Sequence, residues 1–433
     1  MDLINLSLML GGAILIKEGS SYLLNRLNTT AYRWNTIMAT LKLDFKIIKN
    51  NEIKNGVELT VKCPPGKSYK DLEKNLNSLE SSLRGIVTIE NIRFSNLIKV
   101  QVINKELKNY EFIPVKTVNN LLYIGKDLKE SNFFIDVEKD PHILIGGMTG
   151  TGKTFLLSSI LTNLIYNSSK DIDIYVSQII KGEIGQFANC KPVKFVGNTL
   201  EEVSIMLEKV ANKVDERSRK FSTKGYKNLS HYNRNNKNKL KRIYFVIEEV
   251  SFFIAQNSDS DEIKDLKNKC WDNILTIVKA GRSAGVHFLS VTQRSTITNI
   301  PSDVKSQMCC ITLRQRSSRD SENIIEDTGA TKLKERECLV FGSQGLFMLK
   351  VPSIDENYKI LHEYVKEIIV PGKLKEENKE KVKKLEVEEV KFTHIPIENS
   401  KDKVIFLEAA TERENKNEEK ENKKRERKGR IKC

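Results

Sequence analysis

Residues 142–154 read His-Ile-Leu-Ile-Gly-Gly-Met-Thr-Gly-Thr-Gly-Lys-Thr, an apolar run that passes into a glycine-rich turn. The spacing Gly147-x-x-x-x-Gly152-Lys153-Thr154 is that of a P-loop. Glycine permits the positive φ angles that let successive backbone N–H groups point at one phosphate group. The stretch therefore predicts a nucleotide phosphate site between a strand and a helix.

Each residue of this loop has a predicted role in binding ATP and Mg²⁺. The residues expected to surround the phosphates are Gly147, Met148, Thr149, Gly150, Thr151, Gly152, Lys153 and Thr154. We expect Lys153 to reach the β and γ oxygens and Thr154 to place its hydroxyl on the metal. A strand over 143–145 and a helix over 155–166 supply the context that a chance glycine turn before a lysine would lack.

Length and composition indicate a soluble globular protein of two or three domains. The chain has 433 residues, of which 39% are hydrophobic and 30% are charged. Its formal net charge of +15 favours a polyanionic partner, either nucleic acid or an acidic membrane surface. The seven cysteines include no C-x-x-C pair, which argues against a disulfide framework or a zinc site and favours a reducing cytosol.

The apolar run from Leu3 to Ile16 leaves two alternatives open. A helix of that length spans about 21 Å against roughly 30 Å of hydrocarbon, so it is either a marginal membrane anchor or interfacial helix, or a buried helix of a soluble fold. Lys17, Arg26 and Arg33 follow the run, and such basic residues keep the downstream chain cytoplasmic. We therefore treat residues 1–40 as an N-terminal apolar segment and expect a cytoplasmic protein, attached to the inner face of the cell membrane if this segment anchors it.

Residues 41–120 predict a small α+β module. Its predicted elements are strands over 56–62, 86–89 and 97–102 and one helix over 69–83. The module has no catalytic pattern, so we expect a packing or oligomerisation role. At the other end, residues 371–433 are runs of Lys, Glu, Asn and Arg that bury too little apolar surface to fold, and they predict a charged, disordered tail.

Between these segments, residues 121–370 have the pattern of an α/β domain. Apolar runs that predict buried strands beside the P-loop strand cover 172–180, 242–247, 286–291, 309–313 and 346–351. A turn is predicted over 281–285, and His287 is expected to be a core histidine. A helix over 200–221 continues into residues 217–227, where cations mix with aromatic rings as on a surface that follows a nucleic-acid strand. A solvated helix is the alternative.

Three polar residues follow these strands at positions where P-loop ATPases place their chemistry. The run over 242–247 ends in Glu248 and Glu249, and Gln293 follows the run over 286–291. In such enzymes the first carboxylate supports the Mg²⁺ shell and the second polarises the attacking water. We therefore predict Glu248 as a metal ligand, Glu249 as the base and Gln293 as the group that senses the γ-phosphate.

From about residue 50 to residue 351 the chain resembles the motor of FtsK/SpoIIIE-type DNA translocases, which are relatives of the HerA ATPases and of conjugative coupling proteins. Segments that resemble the family, in the family's order, are Ile124–Asp127, Asp140–His142, Glu216–Lys220, His231–Asn233, Lys279–His287, Thr292–Arg294 and Asp320–Ser321. The resemblance implies a RecA-like motor with a mostly parallel central sheet. It also implies a homo-hexameric ring that moves double-stranded DNA through its channel by hydrolysing ATP.

The chain departs from the family pattern at three places. The family usually has Asp where this chain has Glu248. Family motors often carry an arginine right after the Asp-Ser pair and another in the preceding strand, where this chain has Glu322 and Cys310. The resemblance still implies an arginine supplied by the neighbouring subunit. We assign Arg282 to this role; the other candidates are Arg314, Arg316 and Arg319.

The compact length resembles the FtsK-like coupling proteins of Gram-positive mobile elements. The function this implies is ATP-driven transfer of double-stranded DNA in conjugation, with the membrane and conjugation-apparatus proteins as further partners. Two alternatives stay open. One is a translocase for plasmid or chromosome segregation, and the other is a nucleotide-gated DNA-binding scaffold with little turnover, suggested by Glu248 and the missing arginine.

Overall fold

The computed structural model describes residues 29–179, 182, 184–292 and 302–370. The apolar run Leu3–Ile16, the predicted sensor Gln293 and the tail from residue 371 lie outside these residues. Among the residues that are described, no helix combines the length and the apolar character needed to cross a membrane.

The small module is a four-stranded antiparallel sheet in the order β1-β2-β4-β3. Its elements are α1 (Thr30–Thr40), β1 (Lys46–Ile53), β2 (Gly56–Lys62), α2 (Tyr69–Glu73), α3 (Leu76–Leu83), β3 (Ile86–Asn91) and β4 (Leu97–Ile103). Trp34 of α1 is fully buried in the module's core, and its indole N–H donates to the carbonyl oxygen of Phe45 over 2.8 Å. The module therefore includes α1, although its residues lie within the predicted N-terminal segment 1–40.

Two other features of the module differ from the prediction. The single helix expected over 69–83 is divided at Asn75, whose side-chain amide donates to the carbonyl oxygen of Asp71 over 2.8 Å. An asparagine side chain that bonds a backbone carbonyl oxygen competes with the backbone hydrogen bonds of a helix, and α2 ends before this residue. Strand β1 was not predicted. It is an edge strand, and its many polar residues do not show the alternation of apolar and polar residues that predicts a strand.

The second sheet has ten strands in the order β6-β5-β14-β13-β12-β7-β11-β10-β8-β9. They are β5 (Leu121–Asp127), β6 (Asn132–Asp136), β7 (His142–Gly146), β8 (Ile172–Ser177), β9 (Val193–Gly197), β10 (Arg242–Ile247), β11 (Val286–Thr292), β12 (Met308–Thr312), β13 (Glu337–Gly342) and β14 (Gly345–Lys350). The run from β12 to β9 in this order is parallel, and the other strands add antiparallel pairs. The mostly parallel α/β sheet with its P-loop strand inside confirms the predicted RecA-like fold class.

Helices cover both faces of this sheet. They are α4 (Lys153–Ser168), α5 (Leu200–Thr223), α6 (Leu229–Asn235), α7 (Asp261–Ala284), α8 (Ser302–Lys305), α9 (Ser318–Ile325) and α10 (Lys359–Tyr364). Helices α4 and α10 contribute to the core on one face, and α5, α7 and α9 contribute to the core on the other. The P-loop helix α4 is buried along most of its length because it lies between the sheet and α10.

The predicted turn over 281–285 is instead the last turn of α7. Gly281 lies inside the helix, where a Cβ would lie 2.4 Å from the carbonyl oxygen of Val286. Glycine is required at this position because the helix approaches the following strand closely, and the chain turns only at Gly285, which has a φ of 70°.

Polar side chains of α4 fix the segment that leads into the large sheet. Asn163 accepts from the backbone N–H of Val115 over 2.7 Å and donates to the Thr117 hydroxyl over 3.2 Å. Asn167 donates to the carbonyl oxygen of Val115 over 3.0 Å. The entry of the chain into this domain is therefore held directly on the P-loop helix.

A buried polar network lies at the amino-terminal edge of the parallel strands. Arg242 donates to His287 Nε2 over 2.7 Å and to the Glu138 carboxylate over 2.8 Å. Since an arginine only donates, His287 carries its proton on Nδ1 and donates it to the carbonyl oxygen of Pro141 over 2.9 Å. The prediction of a core histidine is confirmed.

Burial keeps the two neighbouring histidines of this edge neutral. His142 is fully buried, and its Nδ1 accepts from the backbone N–H of Phe288 over 3.1 Å. Desolvation lowers the pKa of His142 to about 3. Burial, with the nearby charge of Arg242 as the next cause, lowers the pKa of His287 well below its usual value.

Candidate nucleotide site

The loop between β7 and α4 has the backbone conformation of a phosphate cradle. Gly150 and Gly152 have φ values of 79° and 94°. A Cβ at Gly150 would meet nothing within 4 Å, and one at Gly152 would have its nearest neighbour at 3.9 Å. Glycine is therefore required here by backbone conformation and not by lack of space.

Lys153 begins α4, and its ammonium lies inside the loop. The Nζ atom donates to the carbonyl oxygens of Gly147 and Met148 over 2.7 Å each. Thr154 follows on the first turn, half-buried, at the helix end where the dipole favours an anion. The structure thus places the cation and the hydroxyl at the phosphate end of the helix.

The chain that follows β12 forms one wall of the loop. The backbone N–H of Leu313 donates to the carbonyl oxygen of Gly146 over 2.9 Å. The backbone N–H of Met148 donates to the carbonyl oxygen of Arg314 over 3.1 Å. Gln315 is buried beneath this wall and donates to the Thr312 hydroxyl over 2.9 Å. Sequence reasoning missed this wall, because the pairing of β12 with β7 joins residues far apart in the chain.

The two predicted carboxylates follow β10 at the same edge of the sheet as the P-loop. Glu248 is only 6% exposed. Glu249 Oε1 accepts from the Ser251 hydroxyl over 2.6 Å and from the Thr292 hydroxyl over 3.1 Å. The roles of Ser251 and Thr292 were not predicted. The sequence signals that could have indicated them are a hydroxyl residue two positions after Glu249 and another at the end of the next strand.

The turn after Glu249 is held in place by a second contact. Lys267 of α7 pairs with Asp259 over 2.9 Å and lies 4.6 Å from the ring centroid of Phe252. A small cavity beside this turn is lined by Ser177, Ile179, Ile247, Glu248, Glu249, Phe252 and Phe253. The carboxylates therefore lie on a fixed strand end and not on a free loop.

The side chains and backbone groups of this site fit the predicted nucleotide and metal. A hydroxyl oxygen from Thr154 and a carboxylate from Glu248 are hard oxygen ligands of the type that Mg²⁺ takes together with phosphate oxygens. Lys153 and the N–H groups of the loop suit the phosphates themselves.

The arginine candidates lie at two different edges of the sheet. Arg282 is at the amino-terminal edge, where its Nε donates to the carbonyl oxygen of Glu138 over 2.7 Å. The structure therefore does not bring Arg282 to the P-loop of its own chain. Arg314 is exposed, and its backbone lies against that P-loop; Arg316 and Arg319 are exposed farther along.

The aromatic rings of residues 217–227 and the following helix do not form a stacking surface. Phe221 and Tyr232 are 2% and 6% exposed and pack with Leu229 in a small core, and half-buried Tyr226 packs against it. The prediction that these rings follow a nucleic-acid strand was wrong for this reason. Among the cations of residues 217–227, Arg217 is buried, whereas Arg219, Lys224 and Lys227 are exposed.

Residues 115–297 match the FtsK/SpoIIIE family model. The DNA translocase FtsK of Oceanobacillus iheyensis is 26% identical over 256 residues, which are 56% of this chain and 32% of that relative. The DNA translocase FtsK of Helicobacter pylori strain J99 is 23% identical over 362 residues, which are 76% of this chain and 40% of that relative. The chain thus spans well under half the length of these curated relatives.

A solved structure supports the same fold. The pCW3 conjugation coupling protein TcpA, in a monomer form with ATPγS, aligns over 78% of this chain and 99% of that chain, with a TM-score of 0.56 and 19% sequence identity. The two proteins share their architecture along nearly the whole of the TcpA chain.

Proposed function

We propose that the chain carries an FtsK/SpoIIIE-type P-loop ATPase domain and hydrolyses ATP to move along double-stranded DNA as the coupling protein of a conjugative transfer system. The relatives that match along the chain are named DNA translocases, and the fold neighbour TcpA is named a conjugation coupling protein. Translocation is the part of the proposal with the broader support, and coupling is the finer assignment.

The observation that carries hydrolysis is the Glu249 carboxylate, which two hydroxyls fix at the edge of the sheet that holds Lys153. A nucleotide-gated scaffold needs a phosphate cradle but no fixed base. In the proposed reaction Lys153 holds the β and γ oxygens, Thr154 and Glu248 hold Mg²⁺, and Glu249 orients the attacking water. Bound Mg²⁺ supplies positive charge that offsets the charge on the phosphate oxygens.

A homo-hexameric ring completes this proposed site. Arg282 lies at the sheet edge opposite to its own P-loop, which suits a residue that acts on the nucleotide of a neighbouring subunit. Gln293, next to Thr292, is proposed to sense the γ-phosphate. The run Leu3–Ile16 is proposed to attach the ring to the inner face of the membrane, near the partners that deliver DNA.

The decisive experiment measures ATP hydrolysis by the full chain against protein concentration, with and without duplex DNA. We expect DNA to stimulate turnover and the rate to rise cooperatively as subunits assemble. Lys153→Ala and Glu249→Gln should both abolish turnover, and Glu249→Gln should still bind ATP because its cradle is intact. Equal hydrolysis with and without DNA would contradict translocation, and tight ATP binding without hydrolysis would support the scaffold.

A genetic experiment separates coupling from segregation. In a strain that lacks this gene, a coupling protein predicts loss of DNA transfer with normal inheritance of the element. Unstable inheritance with normal transfer would favour the segregation translocase, for which the FtsK relatives provide the precedent.

A further inference from the structure

A segment of exceptional charge lies between α5 and β10. Residues 217–242 contain ten Lys or Arg residues and neither Asp nor Glu. In the structure they form the end of α5, the helix α6 and the connection to β10; we name residues 219–241 the basic hairpin. The exposed cations of the basic hairpin are Arg219, Lys224, Lys227, Arg234, Lys237 and Lys239.

The basic hairpin has a defined internal structure. Phe221, Leu229 and Tyr232 form its small core. Asn233 ties α6 to the connection that leads to β10, because its side chain donates to the carbonyl oxygen of Leu240 and accepts from the Leu240 N–H, over 2.8 Å each. Lys227 is fixed through its backbone N–H, which donates to His231 Nδ1 over 3.1 Å. The exposed cations are therefore carried on an ordered backbone, which lowers the entropy lost when they bind a partner.

The positive charge of this surface is not neutralised locally. Lys241 pairs with Asp173 over 3.0 Å, and Lys220 lies 4.9 Å from the ring centroid of Tyr232. Within the ranges that the structure covers, the six exposed cations of the basic hairpin take part in no ion pair. A concentrated positive surface of this kind attracts a polyanion.

We propose that the basic hairpin binds the phosphate backbone of duplex DNA, an inference that rests on the proposed function. Single-stranded nucleic acid is bound by stacking bases on exposed aromatic rings, and here Phe221 and Tyr232 are buried. A helix that lies in a membrane interface buries an apolar face beside its cations, and no large hydrophobic side chain of the described residues 219–241 is exposed. A surface that exposes cations but few aromatic or apolar side chains suits a duplex, because the outside of a duplex is lined by regularly spaced phosphates.

The basic hairpin is attached to the edge of the sheet opposite to the P-loop. Ser230 of α6 donates to the Glu138 carboxylate, which also accepts from Arg242 over 2.8 Å. Arg217, just before the basic hairpin, donates to the carbonyl oxygen of Ala284 over 2.9 Å. Duplex DNA and nucleotide would therefore bind at separate edges of one sheet, and α5 and α7 connect them.

The test compares two triple variants of the full chain. In the first, Lys224, Lys227 and Arg234 are changed to Gln; in the control, the exposed Lys129, Lys359 and Lys366 are changed to Gln, which removes the same charge elsewhere. Binding to a labelled duplex of about two helical turns is measured by fluorescence anisotropy at several salt concentrations. Circular dichroism melting shows whether each variant is folded.

We expect the first variant to bind the duplex at least about tenfold more weakly at low salt and to lose roughly one unit of the log-log salt slope per phosphate contact. The control should keep the wild-type slope. Equal slopes and affinities in a folded first variant would overturn the proposal. A variant that melts early is replaced by single Lys224→Gln and Lys237→Gln changes, which lie outside the small core and should each lower the slope.

Two further arms address the other polyanions. A single strand of the same length should compete more weakly than the duplex, and stronger competition that depends on the same residues would overturn the choice of duplex. Vesicles of 30% phosphatidylserine in phosphatidylcholine should bind the first variant and the control equally. Loss of vesicle binding with unchanged duplex binding would assign the surface to membrane.

The ATPase assay separates this inference from the proposed function. If DNA stimulates wild-type turnover but the first variant keeps its full duplex affinity, the inference fails alone. If the first variant loses duplex affinity while wild-type turnover does not respond to DNA, the surface is assigned correctly and the motor function fails.

Discussion

Thr292 Oγ1 donates a hydrogen bond to Glu249 Oε1 over 3.1 Å, from the end of β11, which pairs with β10, the strand that Glu249 follows. Ser251 donates to the same oxygen over 2.6 Å. The orientation of the proposed base is thus set by the end of β11 and by the turn that follows β10. Because Gln293 follows Thr292 directly, a shift of the end of β11 would move the proposed sensor and the base together.

Removing one of these hydroxyls should slow hydrolysis without preventing binding. Thr292→Val keeps the shape of the side chain but loses the donor, and we expect kcat to fall about tenfold, the cost of roughly one hydrogen bond to a charged group. The affinity for a fluorescent ATP analogue should not change. Ser251→Ala, combined with Thr292→Val in a double-mutant cycle, should show that the two effects are coupled. An unchanged kcat in the double variant would remove both residues from the mechanism.

Glu248 should govern the requirement for metal. Because its carboxylate is buried at the carboxyl end of β10, Glu248→Ala should raise the Mg²⁺ concentration needed for half-maximal hydrolysis by about tenfold or more. The measurement is a Mg²⁺ titration at fixed ATP concentration. Glu248→Asp is the matched variant, since it keeps the charge and restores the residue usual in the family. A Mg²⁺ dependence unaffected by Glu248→Ala would exclude Glu248 as a ligand.

Arg282 should act on the nucleotide of a neighbour. Arg282→Ala should abolish DNA-stimulated hydrolysis, and mixing it with Lys153→Ala should restore part of the activity, because one interface then combines an intact P-loop with an intact arginine. Arg314→Ala, whose backbone lies against its own P-loop, is the contrasting variant and should not be rescued by Lys153→Ala if it acts within its own chain. A mixture that stays inactive for Arg282→Ala would exclude the trans role.

Stability should fall as the pH falls below the usual histidine range. The folded pKa of His142 is about 3, so between pH 6.5 and that value only the unfolded chain takes up this proton. Each buried histidine of this kind should cost about 2 kcal/mol of unfolding free energy at pH 5 relative to pH 7. Urea unfolding at the two pH values gives the difference. In His142→Gln the pH dependence should be smaller, and an unchanged dependence would contradict this origin.

The hydrogen bonds between Asn163 and the segment that leads into the large sheet should contribute to the stability of this domain. Asn163→Ala leaves the half-buried backbone N–H of Val115 without its acceptor, which should cost about 1–3 kcal/mol in urea unfolding. Asn212→Ala, at an exposed position of α5, is the control and should change little. Equal stabilities of the two variants would show that the contact is dispensable.

Local patterns predicted most of the strands of the large sheet and the residues of the candidate nucleotide site. The P-loop, Glu248 and Glu249 are local signals, because each follows an apolar strand directly, and parallel strands bring their carboxyl ends to one edge. The prediction for residues 281–285 failed for a related reason. Glycine signals a turn when only the chain is considered, whereas Gly281 is required by contact with a strand that follows the helix.

The parts that were missed depend on contacts between distant residues. Thr292 reaches Glu249 across 43 positions, and Arg314 reaches Met148 across a still longer separation. The aromatic rings near α6 were interpreted as a surface because nothing in their local pattern distinguishes a stacking ring from one in a small core. Strand pairing and burial had to be known before these residues could be assigned.

The position of β12 has a consequence for where this domain can be divided. The family match ends at residue 297, yet β12, which begins at Met308, pairs with the P-loop strand on the side opposite to β11. A polypeptide cut at residue 297 would leave the central phosphate-binding strand as an exposed sheet edge, open to pairing with other chains. Residues up to Lys350 are therefore part of the smallest unit that can keep the nucleotide site soluble.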